Sequence, residues 1–200
     1  MLIADEVVTG FGRSGSMFGS RLWGVKPDIM CLAKGITSGY IPLGATVVNR
    51  RIEEAFEKNA NFTGAIMHGY TYSGHPVACA AALACLDIVV KEDLPANAAK
   101  MGDYMLDKLL PFVERFDTVG EVRGKGLMLA LDLVADKTTR EPIDPMSGYA
   151  NQVAQIARDN GVMVRPVGTK IILSPPLVIQ QAQADAIVDA LAEGLSKARR

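Results

Sequence analysis

Cysteine and histidine are scarce in this 200-residue chain, and each scarcity excludes a class of function. Cys31, Cys79 and Cys85 stand in apolar segments without a CxxC pair. Neither a disulfide framework nor a zinc ribbon is expected, and the three read as small core residues in a reducing compartment. His68 and His75 are too few for a zinc site, so no metal is expected. A charge imbalance is also lacking. The net charge of -1 gives no general attraction to nucleic acid or an anionic membrane. No apolar run approaches the about 18 residues of a membrane span, and the first residues lack a secretory signal pattern. A cytoplasmic protein is expected.

What is present supports an ordinary soluble core, with 49% hydrophobic and 22% charged residues. The length suits one large domain or two small ones. Met1 to Ala4 already reads as a strand interior of the kind covered on both faces of a parallel sheet. The chain is therefore expected to be the later part of a longer protein. Strands are expected at Leu2–Ala4, Ile29–Ala33 and Ala45–Val48, an amphipathic helix at Arg50–Lys58, and a loop from Asn59 to Gly69. Pro76 suits the first turn of a helix reaching about Val90, capped by Ser73 or His75. A long helix is expected from Leu94 to about Arg115, then over Val119–Val134 a strand pair or one bent strand around Gly124 and Gly126, and a polar loop over Lys137–Ser147. A helix over Tyr149–Asp159 is closed by Gly161. Strands at Val162–Val164 and Ile171–Leu173 precede a helix from Gln181 to about Lys197. The division falls near residues 91–95, giving a first part over 1–92 and a helix-first α+β part over 93–200.

Lys34 ends an apolar run and precedes Gly35. Lysine is rarely buried unless paired or reactive, and in an apolar pocket it becomes a nucleophile toward aldehydes. Lys34 is thus either a Schiff-base residue or a surface lysine past a strand end. Asp5, at a strand's carboxyl end, either points into a ligand crevice or caps a turn. Gly10-Phe-Gly12-Arg-Ser-Gly15 matches a dinucleotide-binding pattern. Gly19, Gly24 and Pro27 follow too soon for the required helix, so it is read as a tight loop. Thr71 and Ser73 precede a helix N-terminus, where hydroxyls either bind a phosphate or cap the helix.

Together, Asp5-Glu-Val-Val-Thr-Gly-Phe-Gly-Arg13, Lys26-Pro-Asp28, Ala33-Lys-Gly35, Tyr70-Thr-Tyr-Ser-Gly-His-Pro76, Val122-Arg-Gly-Lys-Gly126 and Val164-Arg-Pro166 resemble the class III, omega-type pyridoxal-phosphate (PLP) aminotransferases. They lie in order over most of the chain and match the later half of a family member. The resemblance implies an α/β protein of PLP-transferase fold type I. Residues 1–92 would be part of the large mixed-sheet domain and 93–200 the small C-terminal α+β domain. It implies that Lys34 forms the Schiff base with PLP and shuttles the proton, that Asp5 pairs with the ring nitrogen, and that Val7 packs on one ring face. Thr71 would bind the cofactor phosphate of the neighbouring subunit in a homodimer, and Arg165 would pair with a substrate carboxylate. Arg123 and Lys125 are read as shaping a strand turn.

The implied reaction moves an amino group from a primary amine or ω-amino acid to a keto acid such as pyruvate. An aminomutase or decarboxylase of the same superfamily is the alternative within this chemistry, separated by its independence of a keto acid. Because groups implied for the upstream half are absent, an incomplete and inactive chain, or a silent interaction module, is the other alternative.

Overall fold

In a computed structural model, the chain is described over residues 1–58 and 68–199, so most of the loop expected from Asn59 to Gly69 lies outside the described residues. Two compact units, Met1–Pro95 and Ala96–Arg200, make up the chain.

In the first unit, β1 (Ile3–Asp5) is followed by the short helix α1 (Gly19–Leu22) and by β2 (Ile29–Leu32). β1 runs parallel to β2, with Ile3 opposite Ile29 and Asp5 opposite Cys31. β3 (Ala45–Val48) pairs antiparallel with β2. The sheet is therefore mixed. Leu2, Ile3, Val47 and Val48 of this sheet region are exposed, so the cover expected for so apolar a strand is not supplied by the described residues. Helices α2 (Arg50–Lys58) and α3 (Pro76–Lys91) follow. The Asn49 side chain accepts from Ile52 N–H at the start of α2. At α3, Pro76 occupies the first turn and His75 Nδ1 accepts from Ala78 N–H. His75 rather than Ser73 is thus the cap. Cys79 is exposed on α3, contrary to its reading as a core residue, because α3 buries only the side carrying Ala78, Ala82 and Val89.

The expected single helix from Leu94 to Arg115 is two helices, α4 (Leu94–Leu109) and α5 (Phe112–Arg115). Pro111 between them has no N–H to continue the ladder and becomes the N-cap of α5. The β-hairpin of β4 (Val119–Lys125) and β5 (Met128–Asp136) turns at Gly126, whose φ is +55°. Within the expected polar loop lie a two-residue strand, β6 (Glu141–Pro142), and a 3-10 turn at Pro145–Ser147. Helix α6 (Tyr149–Asp159) precedes β7 (Arg165–Val167), β8 (Lys170–Leu173) and α7 (Gln181–Lys197). The strand expected at Val162–Val164 begins three residues later. Its position is set by antiparallel pairing with β8 across the left-handed turn at Gly168, which puts Arg165 opposite Ile172.

The second unit is organised around the sheet order β4-β5-β8-β7. On β5, Leu129, Leu131 and Leu133 alternate onto the buried face, with Ile171 of β8 beside them. Met105 and Leu109 of α4, and Val188, Leu191 and Leu195 of α7, complete this core at helical spacing. Each such side chain contributes about 1.5–3 kcal/mol by leaving water. Tyr149 is buried with its hydroxyl satisfied by Thr118 Oγ1 at 2.9 Å. Arg123 pairs across the β4–β5 ladder with Asp132 and along its own strand with Glu121.

Candidate functional site

The carboxyl ends of β1 and β2 lie side by side, and each carries one of the candidate residues. Asp5 is the last residue of β1 and the register partner of Cys31, and Lys34 follows two residues after β2 ends. Ligands of open α/β sheets gather at this end of the strands. The Asp5 carboxylate accepts from Val7 N–H at 3.0 Å, which ties the acid to the next candidate residue in a small turn.

Lys34 opens a 3-10 turn, Lys34–Ile36, with φ +43°, a left-handed conformation that disfavours side chains. Its amine has no hydrogen-bond or ion-pair partner among the described residues. Of the two settings the sequence left open for Lys34, apolar pocket or surface, the described residues leave it exposed. Burial begins one turn further on, at Ile36 and Thr37, where Thr37 Oγ1 donates to Ile41 O at 2.7 Å. Three features support the turn from beneath. Gly35 lies against Phe11, Ile36 clusters with Phe11, Leu32 and Ala82, and the Cys85 thiol faces Gly35 O at 4.0 Å.

The glycine-rich segment does not open the helix that a dinucleotide site requires. Residues 7–17 form successive turns, and α1 begins only at Gly19. Sequence reading passed over the group that organises this segment, Glu6. Its carboxylate is buried and accepts from Thr9 Oγ1 (2.5 Å), Gly19 N–H (2.8 Å) and Ser20 N–H (2.6 Å). Burial alone pushes this carboxyl up, but the Thr9, Ser20 and Gly19 donors outweigh it and hold it below its usual value. The available signal was an acid inside a motif rich in small residues. Burial of Arg13 lowers its guanidinium below the usual range.

Thr71 is exposed in the Tyr70–Gly74 turn that leads into α3, where Ser73 Oγ accepts from Tyr70 N–H. Arg165 belongs to the second unit. It is an exposed residue of β7 and lines a groove of about 890 Å³ with Arg158, Met163, Pro175 and Ile187. No cluster of three or more His, Cys, Asp or Glu able to hold a metal occurs among the described residues. No described helix is long and apolar enough to cross a membrane.

A mixed sheet with helices around it, and an amine and a carboxylate near neighbouring strand ends, defines a protein of the α/β class. Comparison with known proteins narrows this. The family description "Aminotransferase class-III" matches residues 1–195. An uncharacterized aminotransferase of Sinorhizobium fredii is 48% identical over 195 residues, covering 96% of this chain and 42% of the relative. The crystal structure of an amine transaminase from an uncultivated Pseudomonas species, in its PLP-bound form, superposes with a TM-score of 0.97 at 63% identity. That match covers all of this chain and 45% of the other. An (S)-enantioselective omega-transaminase from Thermomicrobium roseum gives 0.92 at 46% identity, covering 98% and 43%. The chain belongs to the class-III aminotransferase family, and its fold is that of the fold type I PLP-dependent transaminases. It spans less than half the length of these relatives.

Proposed function

We propose that this chain carries the cofactor lysine and the substrate arginine of a PLP-dependent transaminase that moves an amino group from a primary amine or ω-amino acid to a keto acid such as pyruvate. The observation that supports it most is the pairing of β1 and β2 in parallel register, with the unpartnered Lys34 amine and the Asp5 carboxylate at their carboxyl ends. The donor set suits PLP, whose aldehyde needs an amine and whose ring nitrogen needs an acid. PLP, when bound, supplies an electron sink for carbanion character at the substrate carbon.

The residues divide the remaining work. Lys34 Nζ would be the amine that holds the cofactor's aldehyde, and as a free amine it would serve as the base for the proton on the substrate carbon. Asp5, steadied by Val7 N–H, would supply the acid that pairs with the ring nitrogen. Val7 would supply an apolar contact for one ring face. The Thr71 hydroxyl binds a phosphate, on this reading that of the neighbouring subunit in a homodimer. Arg165 presents a planar fork to a substrate carboxylate. Residues 1–92 then belong to the large cofactor-binding domain and 93–200 form the small domain. A cytoplasmic setting is supported by the three free thiols, Cys31, Cys79 and Cys85.

Incubation with PLP, borohydride reduction and peptide mapping test the reading. A hydride-stable PLP adduct is expected on Lys34 and is expected to vanish in Lys34→Ala. A reduced adduct on other lysines with none on Lys34 would overturn it.

A further inference from the structure

We propose that Glu6 is a positioning residue for the lysine site, its buried carboxylate clamping the segment between β1 and α1 so that Phe11 holds the Lys34–Ile36 turn beside Asp5. The importance of that turn rests on the transaminase reading above. The clamp itself rests on contacts within the first unit.

Glu6 pins five points at once. Its N–H donates to Cys31 O of β2 at 2.9 Å, and its own carbonyl accepts from Gly10 N–H at 2.9 Å. Its side chain takes Thr9 Oγ1 and Gly19 N–H on Oε2 and Ser20 N–H on Oε1. Three donors converging on one buried group require an acceptor-only carboxylate. The close seating is visible at the glycines. A Cβ on Gly10 would stand 2.7 Å from Glu6 O, and one on Gly19 would stand 3.2 Å from Glu6 Oε2.

The segment so held carries Phe11 in a left-handed conformation, φ +61°, with its N–H bound to Met17 O at 2.6 Å. Phe11 is buried and packs edge-on against Phe18. Its Cβ is the nearest atom to the space where a side chain on Gly35 would begin. Release of the carboxylate therefore reaches Lys34 through one rigid aromatic wall. It reaches Asp5 directly through the adjoining peptide.

Glu6→Gln keeps the shape but turns an NH₂ donor toward donors. Two measurements on the chain decide the matter, and neither requires PLP. The first is amide hydrogen exchange at Gly19 and Ser20. The second is the pH profile of acetic-anhydride labelling at Lys34, with the exposed Lys26 as internal reference. Exchange at both amides is expected to rise about tenfold or more. The Lys34 profile is expected to shift relative to Lys26, with the rate changing about threefold or more. Unchanged exchange, or faster exchange beside an unchanged Lys34 profile, would overturn the proposal. If Glu6→Gln does not fold, Thr9→Val removes only one of the three donors. A smaller shift in the same direction supports the clamp, and none overturns it. Failure of Lys34 to take up PLP would sink the transaminase reading and leave these measurements standing.

Discussion

Phe11 and Gly35 approach so closely that a Cβ on residue 35 would lie 3.0 Å from Phe11 Cβ and 3.2 Å from its Cδ2. The first of these atoms is bonded directly to the backbone and has no freedom to swing away. Gly35→Ala is therefore expected to cost about 1–3 kcal/mol by overpacking and to lower the yield of PLP adduct on Lys34. A urea midpoint and the adduct yield, measured side by side, check both.

A second close approach predicts a larger loss. On α4, a Cβ at Gly102 would fall 2.1 Å from the carbonyl oxygen of Gly126 in the β4–β5 turn. Both partners are backbone, so relief requires the helix or the hairpin to move. Gly102→Ala is expected to destabilise the chain by about 3 kcal/mol or more. Thermal unfolding followed by circular dichroism reads it.

Acid is expected to loosen the first unit. Glu6 is held below its usual 4.5 by the Thr9, Ser20 and Gly19 donors, which outweigh its burial. Asp28 is held below 3.8, first by Leu2 N–H and then by Arg51 and Asn49. A carboxyl lower in the folded than in the unfolded chain contributes its stability in full above the unfolded value. It loses that contribution as pH falls through the folded value. Urea midpoints are expected to hold above about pH 5 and to fall toward about pH 3. The fall is expected to be shallower in Glu6→Gln.

Local signals carried much of this fold. Gly124 and Gly126 announced a turn between strands, and Pro76 with His75 announced a helix start. Asp5 and Lys34 were legible as strand-end residues because each follows a short apolar run. Non-local pairing was not legible. β7 takes its register from β8, which moved Arg165 from a strand end into the ladder. The Glu6 clamp joins residues 13 and 14 positions apart, a separation no periodicity reports. The exposure of Lys34 depends on which walls surround it, and an apolar run does not specify them.

Arg165 offers a test of substrate charge. In the enzyme carrying this chain, Arg165→Met is expected to raise KM for a carboxylated keto acid about tenfold or more. KM for an uncharged amine donor is expected to hold. Steady-state kinetics with one donor and one acceptor varied in turn separate the two.

Lys34 is a side chain placed where the backbone would favour glycine, at φ +43°. Left-handed geometry at a residue with a Cβ costs on the order of 1–2 kcal/mol. Lys34→Gly is therefore expected to resist urea better than the natural chain while taking up no PLP. Conformational comfort and the proposed chemistry pull in opposite directions at this one position, so selection for a sturdier chain alone would erase the amine on which the proposed reaction depends.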